Sequence, residues 1–403
     1  EELYKEIYFC RLCGGQIRKI LDLGISALAN NFLTKEEVDK YEYFGDDPKA
    51  PLKVVQCLNC GESQLGYNIN SETLFSNYLY ASDSPGLIRH FENYTNYLFS
   101  ELKLNKNDVI IDIGSNIGSL LKFFKDKECR VVGIDPAKNL CEVANNNDIF
   151  TINAFFNSEV VVNQIPYNKA RIINCLNCFA HIPNLDEVIK GIKILMDENS
   201  YFIFENAYWL DSVKQKFFDQ IYGDHVFFHS LKPLSLFFKK HKMTLLRVEK
   251  NDIQGGTIRC YVKLGISKPE ESVKQTIKEE EDFGLYEDKV YKDLKNEIQN
   301  IGDRLRNKLL LYKSQNKKIC AFSYPAKATT LCSYFNIGDL FDYVVDDSPF
   351  KQNKYTPQFH KKIVDRKYFY NDNPDVAVIL AYNFADSIKK SNNNYKGEWV
   401  IPF

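Results

Sequence analysis

The chain has 403 residues, a formal net charge of −1 at pH 7 and 44% hydrophobic residues. That length predicts two or three domains, each large enough for its own core. The near-neutral charge gives no electrostatic case for a nucleic acid polymer or a membrane surface as partner, and no apolar run approaches the ~20 residues needed to span a bilayer, so the expectation is a soluble protein.

Cys10-x-x-Cys13 and Cys57-x-x-Cys60 come first. Each pair can place two thiolates on one tetrahedral face of a zinc ion, and a full set of four ligands leaves no position for water, so the zinc is expected to be structural. Plain cysteines or two disulfides are the competing reading. The charged start Glu1-Glu2, with nothing like a secretory signal, argues instead for a reducing, cytoplasmic setting. Pro51–Cys57 alternates like a strand that delivers the second pair. To about Asn70 the chain reads as short strands and turns, too small to hold together by apolar burial alone, which is the usual reason for a metal staple. From Ser71 to Leu102 it reads as helical and aromatic, with Phe75, Tyr78, Tyr80, Phe91, Tyr94, Tyr97 and Phe99 mostly in the core.

Apolar runs of strand length follow at Val109–Ile113, Val131–Ile134, Ala170–Asn174 and Tyr201–Glu205, separated by helix-length segments. This pattern predicts a doubly wound parallel sheet, whose ligands bind at the carboxyl ends of the strands. The charged stretch Pro269–Lys318 predicts one or two solvent-facing helices connecting domains. A second, smaller α/β half then begins, with strands at Lys318–Phe322, Phe341–Val345, Asp375–Ala381 and Glu398–Ile401.

The turn Val109-Ile-Ile-Asp112-Ile-Gly114-Ser115-Asn116-Ile-Gly118 lets backbone approach a ligand and presents helix N–H groups to an anion. A nucleoside triphosphate fits poorly, because no Gly-Lys-Ser/Thr follows. A dinucleotide would bring Gly-x-Gly-x-x-Gly. Asp112 inside the strand, then Gly-x-x-x-Gly, then Asp135-Pro136 ending the second strand, resembles class I methyltransferases. In those enzymes the second-strand acid accepts from both ribose hydroxyls of S-adenosylmethionine and the loop faces its methionine moiety. Taken by itself, Asp135 could equally be a turn residue before Pro136.

Four further stretches carry a narrower resemblance: Cys175-Leu-Asn-Cys178-Phe-Ala-His181, Phe218-Asp-Gln-Ile-Tyr222-Gly223-Asp224-His225, Gly255-Gly256-Thr-Ile-Arg259, and Tyr343-Val-Val-Asp346-Asp347-Ser-Pro-Phe-Lys-Gln-x-x-Tyr355-Thr-Pro357. With the cysteine module they resemble, over essentially the whole chain, the sugar C-methyltransferases that act on nucleotide-linked 4-keto-deoxy sugars. The resemblance implies a small zinc module (1–70), a central Rossmann-like class I S-adenosylmethionine methyltransferase domain (71–265) and a C-terminal Rossmann-like α/β domain (266–403) that helps bind the nucleotide sugar. It implies an enolate formed by removal of the C3 proton beside the C4 ketone, which needs a base and an oxyanion partner. His225 falls on the family's base, Tyr222 on a hydrogen-bond donor to the C4 oxygen, and His181 and Tyr80 on active-site positions, with Asp224 placed to orient or pair with a neighbour. Asp112, Gly114, Ser115, Asn116, Gly118, Asp135 and Pro136 would hold the cofactor. Arg259, Tyr324, Lys327 and Asp347 would contact the nucleotide-linked keto sugar.

Each histidine also has a bland reading: His181 as a loop or cap residue, His225 as a structural one, with His229 a near rival for the base. Cys175-x-x-Cys178 mimics a metal pair but lies beside a buried strand, where positions three apart point to opposite faces. The family's Tyr-His-Glu-His reads Tyr222-Gly223-Asp224-His225 here, its Gly-Gly motif is preceded by Gln254 rather than histidine, and Pro325-Ala-Lys327-Ala-Thr-Thr330 replaces a glycine-rich loop. These departures keep two alternatives in view, a sugar O-methyltransferase and a catalytically impaired sugar-nucleotide-binding protein. Oligomeric state is open, with a monomer allowed.

Overall fold

A computed structural model describes residues 3–45, 47–75, 81–251 and 256–403, so Tyr80, Gln254 and Gly255 lie outside the described residues. The chain opens with β1 (Tyr4–Glu6), β2 (Ile17–Ala27), α1 (Lys35–Phe44), β3 (Lys49–Cys57), β4 (Ser63–Leu65) and β5 (Tyr67–Ile69). The strand predicted up to Cys57 is β3. Helix α1 was not foreseen; Thr34 and Glu37 close a capping box at its start, and that Thr-x-x-Glu spacing was the available signal.

The middle of the chain runs α2 (Ser71–Phe75), α3 (Pro85–Glu101), β6 (Val109–Ile113), α4 (Ser119–Asp126), β7 (Arg130–Asp135), α5 (Lys138–Asn146), β8 (Thr151–Asn153), α6 (Ser158–Gln164), β9 (Ile172–Leu176), α7 (Leu185–Leu195), β10 (Tyr201–Ala207), α8 (Trp209–Gln215), β11 (Phe227–Phe228), α9 (Leu231–Lys240), β12 (Met243–Asn251) and β13 (Thr257–Leu264). Seven of these strands form one sheet in the order β8-β7-β6-β9-β10-β13-β12. Neighbours are parallel except where β13 inserts antiparallel between β10 and β12. All five residues of β6 are buried, as expected of a strand covered on both faces. The strand read as Ala170–Asn174 is shifted to Ile172–Leu176, because its partners Ile110–Asp112 and Tyr201–Glu205 set its pairing.

The remainder is α10 (Glu271–Phe283), α11 (Asp288–Ser314), β14 (Ile319–Phe322), α12 (Ala326–Tyr334), β15 (Tyr343–Val345), β16 (Ile363–Val364), α13 (Arg366–Asp372), β17 (Val376–Ile379), α14 (Ala385–Ser391) and β18 (Glu398–Val400). Its five strands are all parallel, in the order β16-β15-β14-β17-β18. The charged stretch is not simply solvent-facing. Helix α11 buries Tyr291, Leu294, Ile298, Gly302, Leu305, Leu309 and Tyr312, an apolar stripe at three- and four-residue spacing.

The N-terminal sheet is completed from outside its own segment, in the order β11-β4-β3-β2. Phe227 and Phe228 pair with Gln64 and Ser63, and Leu65 N–H donates to the Val226 carbonyl at 2.8 Å. Leu12, Leu21, Leu52 and Val54 share one buried cluster with the central sheet. The small module therefore gains stability by packing on the rest of the chain as well as from its cysteines.

Candidate functional site

The chain continues from β6 to β7 on one side of the sheet and from β9 to β10 on the other, which places a crevice at the carboxyl ends of the adjacent parallel strands β6 and β9. Asp112 and Asp135 face it, one near the end of β6 and one at the end of β7. Asp135 accepts from the Ala137 N–H at 2.8 Å and the Asn116 N–H at 2.9 Å, so it ties the loop after β6 to the loop after β7. Burial raises the Asp112 carboxyl to about 8, with the Asp135 charge adding to it. Burial also raises Asp135, against the two backbone N–H bonds that lower it.

Gly114 has φ +72°, and a Cβ there would stand 2.5 Å from Cys178 Sγ. Gly118 has φ +79°, and its Cβ would meet Ile149 at 2.8 Å. Both glycines are thus required by left-handed backbone and by protein packing. Gly118 caps α4 without a side-chain bond, leaving first-turn N–H groups for an anion. The Ser115 hydroxyl is buried with no hydrogen-bond partner among the described residues. Asn116 Oδ1 accepts from Ser82 N–H at 3.0 Å. Pro136 lends its carbonyl to Asn153 at 2.9 Å.

These residues fit S-adenosylmethionine. Two desolvated carboxylates favour a ligand with cationic groups, and the helix N-terminus favours a carboxylate.

The acceptor-side residues converge on the same crevice. His181 ends a 3₁₀ turn (Phe179–His181) directly after β9, three residues beyond Cys178. Its ring centroid lies 4.9 Å from that of His225, and Tyr222 stacks on His225 at 4.1 Å. His181 Nδ1 meets the Asp224 carbonyl at 2.7 Å, and His225 Nδ1 meets the Gln220 carbonyl at 2.6 Å. A carbonyl only accepts, so in both neutral rings Nδ1 carries the proton and Nε2 holds the lone pair. Burial depresses both, His225 to about 3 with the neighbouring His181 adding to it. His181 is further restrained by the Asn177 carbonyl. Phe75, just before the undescribed 76–80 that contains Tyr80, meets the His181 ring at 6.0 Å.

Gly223, where the family has histidine, has no room for a side chain: a Cβ would stand 2.4 Å from Ile69 Cδ1. Ile69 of the N-terminal module fills that space. His229, the rival base, is fully buried with Nδ1 2.8 Å from Glu62 Oε1, away from His181.

The residues expected on the nucleotide side are scattered. Arg259 is held by Glu205 at 2.5 Å and Glu249 at 3.3 Å, under the Tyr94 ring. Asp347 forms an exposed two-pronged pair with Arg366. Tyr324 is buried against Phe32, its N–H bonded to Asp346 at 2.8 Å. Lys327 lies at the β14/β17 crevice, with Nζ 3.1 Å from Asn383 Oδ1 and 3.6 Å from the Tyr382 ring centre.

Among the described residues, Cys10, Cys13, Cys57 and Cys60 are the one group of His, Cys, Asp or Glu side chains close enough to hold a metal. Their sulfurs lie within 4.8 Å of one another, with 3.7 Å between Cys10 and Cys60 and 3.5 Å between Cys13 and Cys57. A tetrahedral zinc at ~2.3 Å from each sulfur calls for edges of about 3.8 Å, so the set fits. Cys175 and Cys178 do approach each other, contrary to the opposite-face expectation, because the chain leaves β9 at Leu176 and turns back. They gather no further ligands among the described residues.

Sequence reasoning missed a buried polar row beside the crevice. His90 and Tyr94, one helical turn apart on α3, bond Glu205 at 2.7 Å and Asn174 at 2.6 Å. Glu205 also binds Arg259, and Asn174 is the register partner of Asp112. An acid and an amide within apolar strand runs were the available signal.

Three family descriptions match in order along the chain: a zinc binding domain at residues 10–75, a methyltransferase domain at 87–246 and a C-methyltransferase C-terminal domain at 252–403. The chain is 28% identical over 411 residues to the C-methyltransferase NovU of Streptomyces niveus, covering 100% of this chain and 97% of that protein. Among solved structures, an S-adenosylmethionine-dependent methyltransferase from Clostridium acetobutylicum is 14% identical, with a TM-score of 0.36 over 44% of this chain and 92% of its own. Magnesium protoporphyrin IX methyltransferase from Synechocystis is 14% identical, with a TM-score of 0.35 over 45% of this chain and 84% of its own.

Sheet order, crevice acids and matched domains together define an S-adenosylmethionine-dependent methyltransferase. More narrowly, the chain carries in order the matches to a zinc binding domain, a methyltransferase domain and a C-methyltransferase C-terminal domain. No helix among the described residues is long and apolar enough to cross a membrane.

Proposed function

We propose that this enzyme transfers the methyl group of S-adenosylmethionine to C3 of a nucleotide-linked 4-keto-deoxy sugar, through an enolate, with His225 as base. The observation that carries this reading is the pair of neutral imidazoles 4.9 Å apart, with His225 held at Nδ1 by one backbone carbonyl so that Nε2 is its basic edge. Proton abstraction from carbon needs a neutral base in a dry site and a donor for the developing oxyanion. The Tyr222 ring lies against His225 with centroids 4.1 Å apart, which supports its hydroxyl as that donor.

His225 at about 3 is neutral at pH 7 but a weak base. An anionic nucleotide sugar brought against the rings raises it, since nearby negative charge favours the imidazolium. The C3–H electrons then become the enolate C=C, the proton passes to His225 Nε2, and the enolate carbon forms the new C–C bond. When bound, S-adenosylmethionine would supply the electrophilic methyl group for that bond. Asp112, Asp135 and the α4 N-terminus bind and orient it.

His225→Asn, which keeps a donor at the Nδ1 position, is expected to reduce both C3 deuterium exchange and methyl transfer by about 10²–10⁴-fold. Transfer lost with exchange intact would remove His225 as the base. Methylation of a 4-hydroxy sugar, which has no acidic C3–H, would favour transfer to oxygen.

A further inference from the structure

The residues on either side of the carbonyl that holds His225 are gripped from a distant part of the chain. Residues 219–221 lie against α12, and each makes a defined bond. The Tyr382 hydroxyl, just beyond β17, donates to Asp219 Oδ1 at 2.6 Å. Gln220 presents its carbonyl to His225 Nδ1 at 2.6 Å. The Thr330 hydroxyl, on α12, donates to the Ile221 carbonyl at 2.8 Å. Flanking rings close the clamp: Phe218 packs on Phe335 at 5.0 Å, and Phe217 on Tyr382 at 5.3 Å.

Asp219 is an expensive way to make an ordinary contact. It is fully buried, and Oδ2 has no hydrogen-bond partner among the described residues. The Lys327 charge acts on it from nearby, and the same ammonium lies over the Tyr382 ring. A half-satisfied buried carboxylate costs stability, whereas an apolar side chain would fill the interface more cheaply. What the carboxylate gains is a directional hold one residue from the Gln220 carbonyl.

We propose that Tyr382 and Thr330 are positioning residues for the methyl-transfer reaction. By gripping Asp219 and Ile221 they fix the Gln220 carbonyl, and through it the tautomer and direction of the His225 ring. The inference rests on His225 being the base. It gives the C-terminal domain a part in the chemical step, beyond any contact with substrate.

The test is the pair Tyr382→Phe and Thr330→Val, alone and combined, in the full-length zinc-loaded chain. Both changes remove one hydroxyl and keep the shape. Ser333→Ala, which removes another hydroxyl from α12 that reaches the Ile25 carbonyl at 3.4 Å, is the control. Histidine ring nitrogens are followed by ¹⁵N NMR, with His225 assigned by its loss in His225→Asn. Wild type and Ser333→Ala should show His225 as the single Nδ1–H tautomer. The double variant should show averaging toward both tautomers, with kcat down about 10–100-fold, as expected for a misplaced catalytic group, and an unchanged KM for S-adenosylmethionine. His225 shifts and kcat within twofold of wild type in the double variant would overturn the proposal. If the double variant does not fold, Thr330→Val alone gives the same two readouts. The NMR result needs no acceptor, so it stands apart from the proposed reaction, whose own failure would appear as deuterium exchange retained in His225→Asn.

Discussion

Asp135 holds two loops and is proposed to hold the cofactor ribose as well, so replacing it by asparagine separates these roles by magnitude. Its two oxygens accept from Ala137 N–H at 2.8 Å and Asn116 N–H at 2.9 Å. Asparagine offers one acceptor oxygen and one NH₂, so one of those N–H groups must face another donor. An unsatisfied buried donor costs about 1–3 kcal/mol, and this cost appears in the stability of the free enzyme. The NH₂ side also cannot accept from a ribose hydroxyl. Loss of one charge-assisted bond is worth about 1.5–3 kcal/mol, or roughly 10–150-fold in Kd. Calorimetric titration of Asp135→Asn with S-adenosylhomocysteine at pH 8, with the fold checked by circular dichroism, should show weakening in that range. A folded variant that binds within about twofold of wild type would refute the assignment of Asp135 to the cofactor.

Gly114→Ala should damage the loop through both a left-handed φ of +72° and a Cβ 2.5 Å from Cys178 Sγ. Adding Cys178→Ala should recover only the steric part, leaving a residue of about 1 kcal/mol in chemical denaturation. Burial holds His225 at about 3, against ~6.5 in the unfolded chain, so below pH 6.5 the unfolded state binds the extra proton and stability falls toward pH 3. Between pH 6.5 and 5 wild type should therefore lose roughly 2 kcal/mol more than His225→Asn, and equal losses would contradict the buried neutral ring. Chelation that strips zinc from the four cysteines should speed hydrogen exchange at Leu65, Phe227 and Phe228, because β4 pairs with β11 there. Unchanged exchange in metal-free protein would show that the cysteine module does not support the His225 segment.

The parts of this enzyme that were legible in sequence are those fixed by local pattern. Strands β6 and β14 are apolar runs because they are covered on both faces, and the four cysteines announce themselves by spacing. The antiparallel insertion of β13 was not legible, since nothing in Thr257–Leu264 alone says which neighbour it pairs with. The buried polar partners around the site were hidden for the same reason. Glu62 and His229 are 167 residues apart in sequence, and Tyr382 lies 163 from Asp219. Gly223 looked like a loss, yet Ile69 occupies the space where the family's side chain would begin. Arg259 was singled out by its motif, and the strand pairing that sets Glu205 against it was not legible there. Long-range packing, not composition, decides such cases.

The central claim is transfer of a methyl group to carbon beside a ketone. The direct measurement is to incubate the enzyme with ¹³C-methyl S-adenosylmethionine and a small panel of nucleotide-linked 4-keto and 4-hydroxy deoxy sugars, and to locate the label by NMR. The account predicts a new C–CH₃ group at C3 of a keto sugar and no product from its 4-hydroxy counterpart. A label found on oxygen, or no transfer to any keto sugar by an enzyme shown to bind the cofactor, would contradict it.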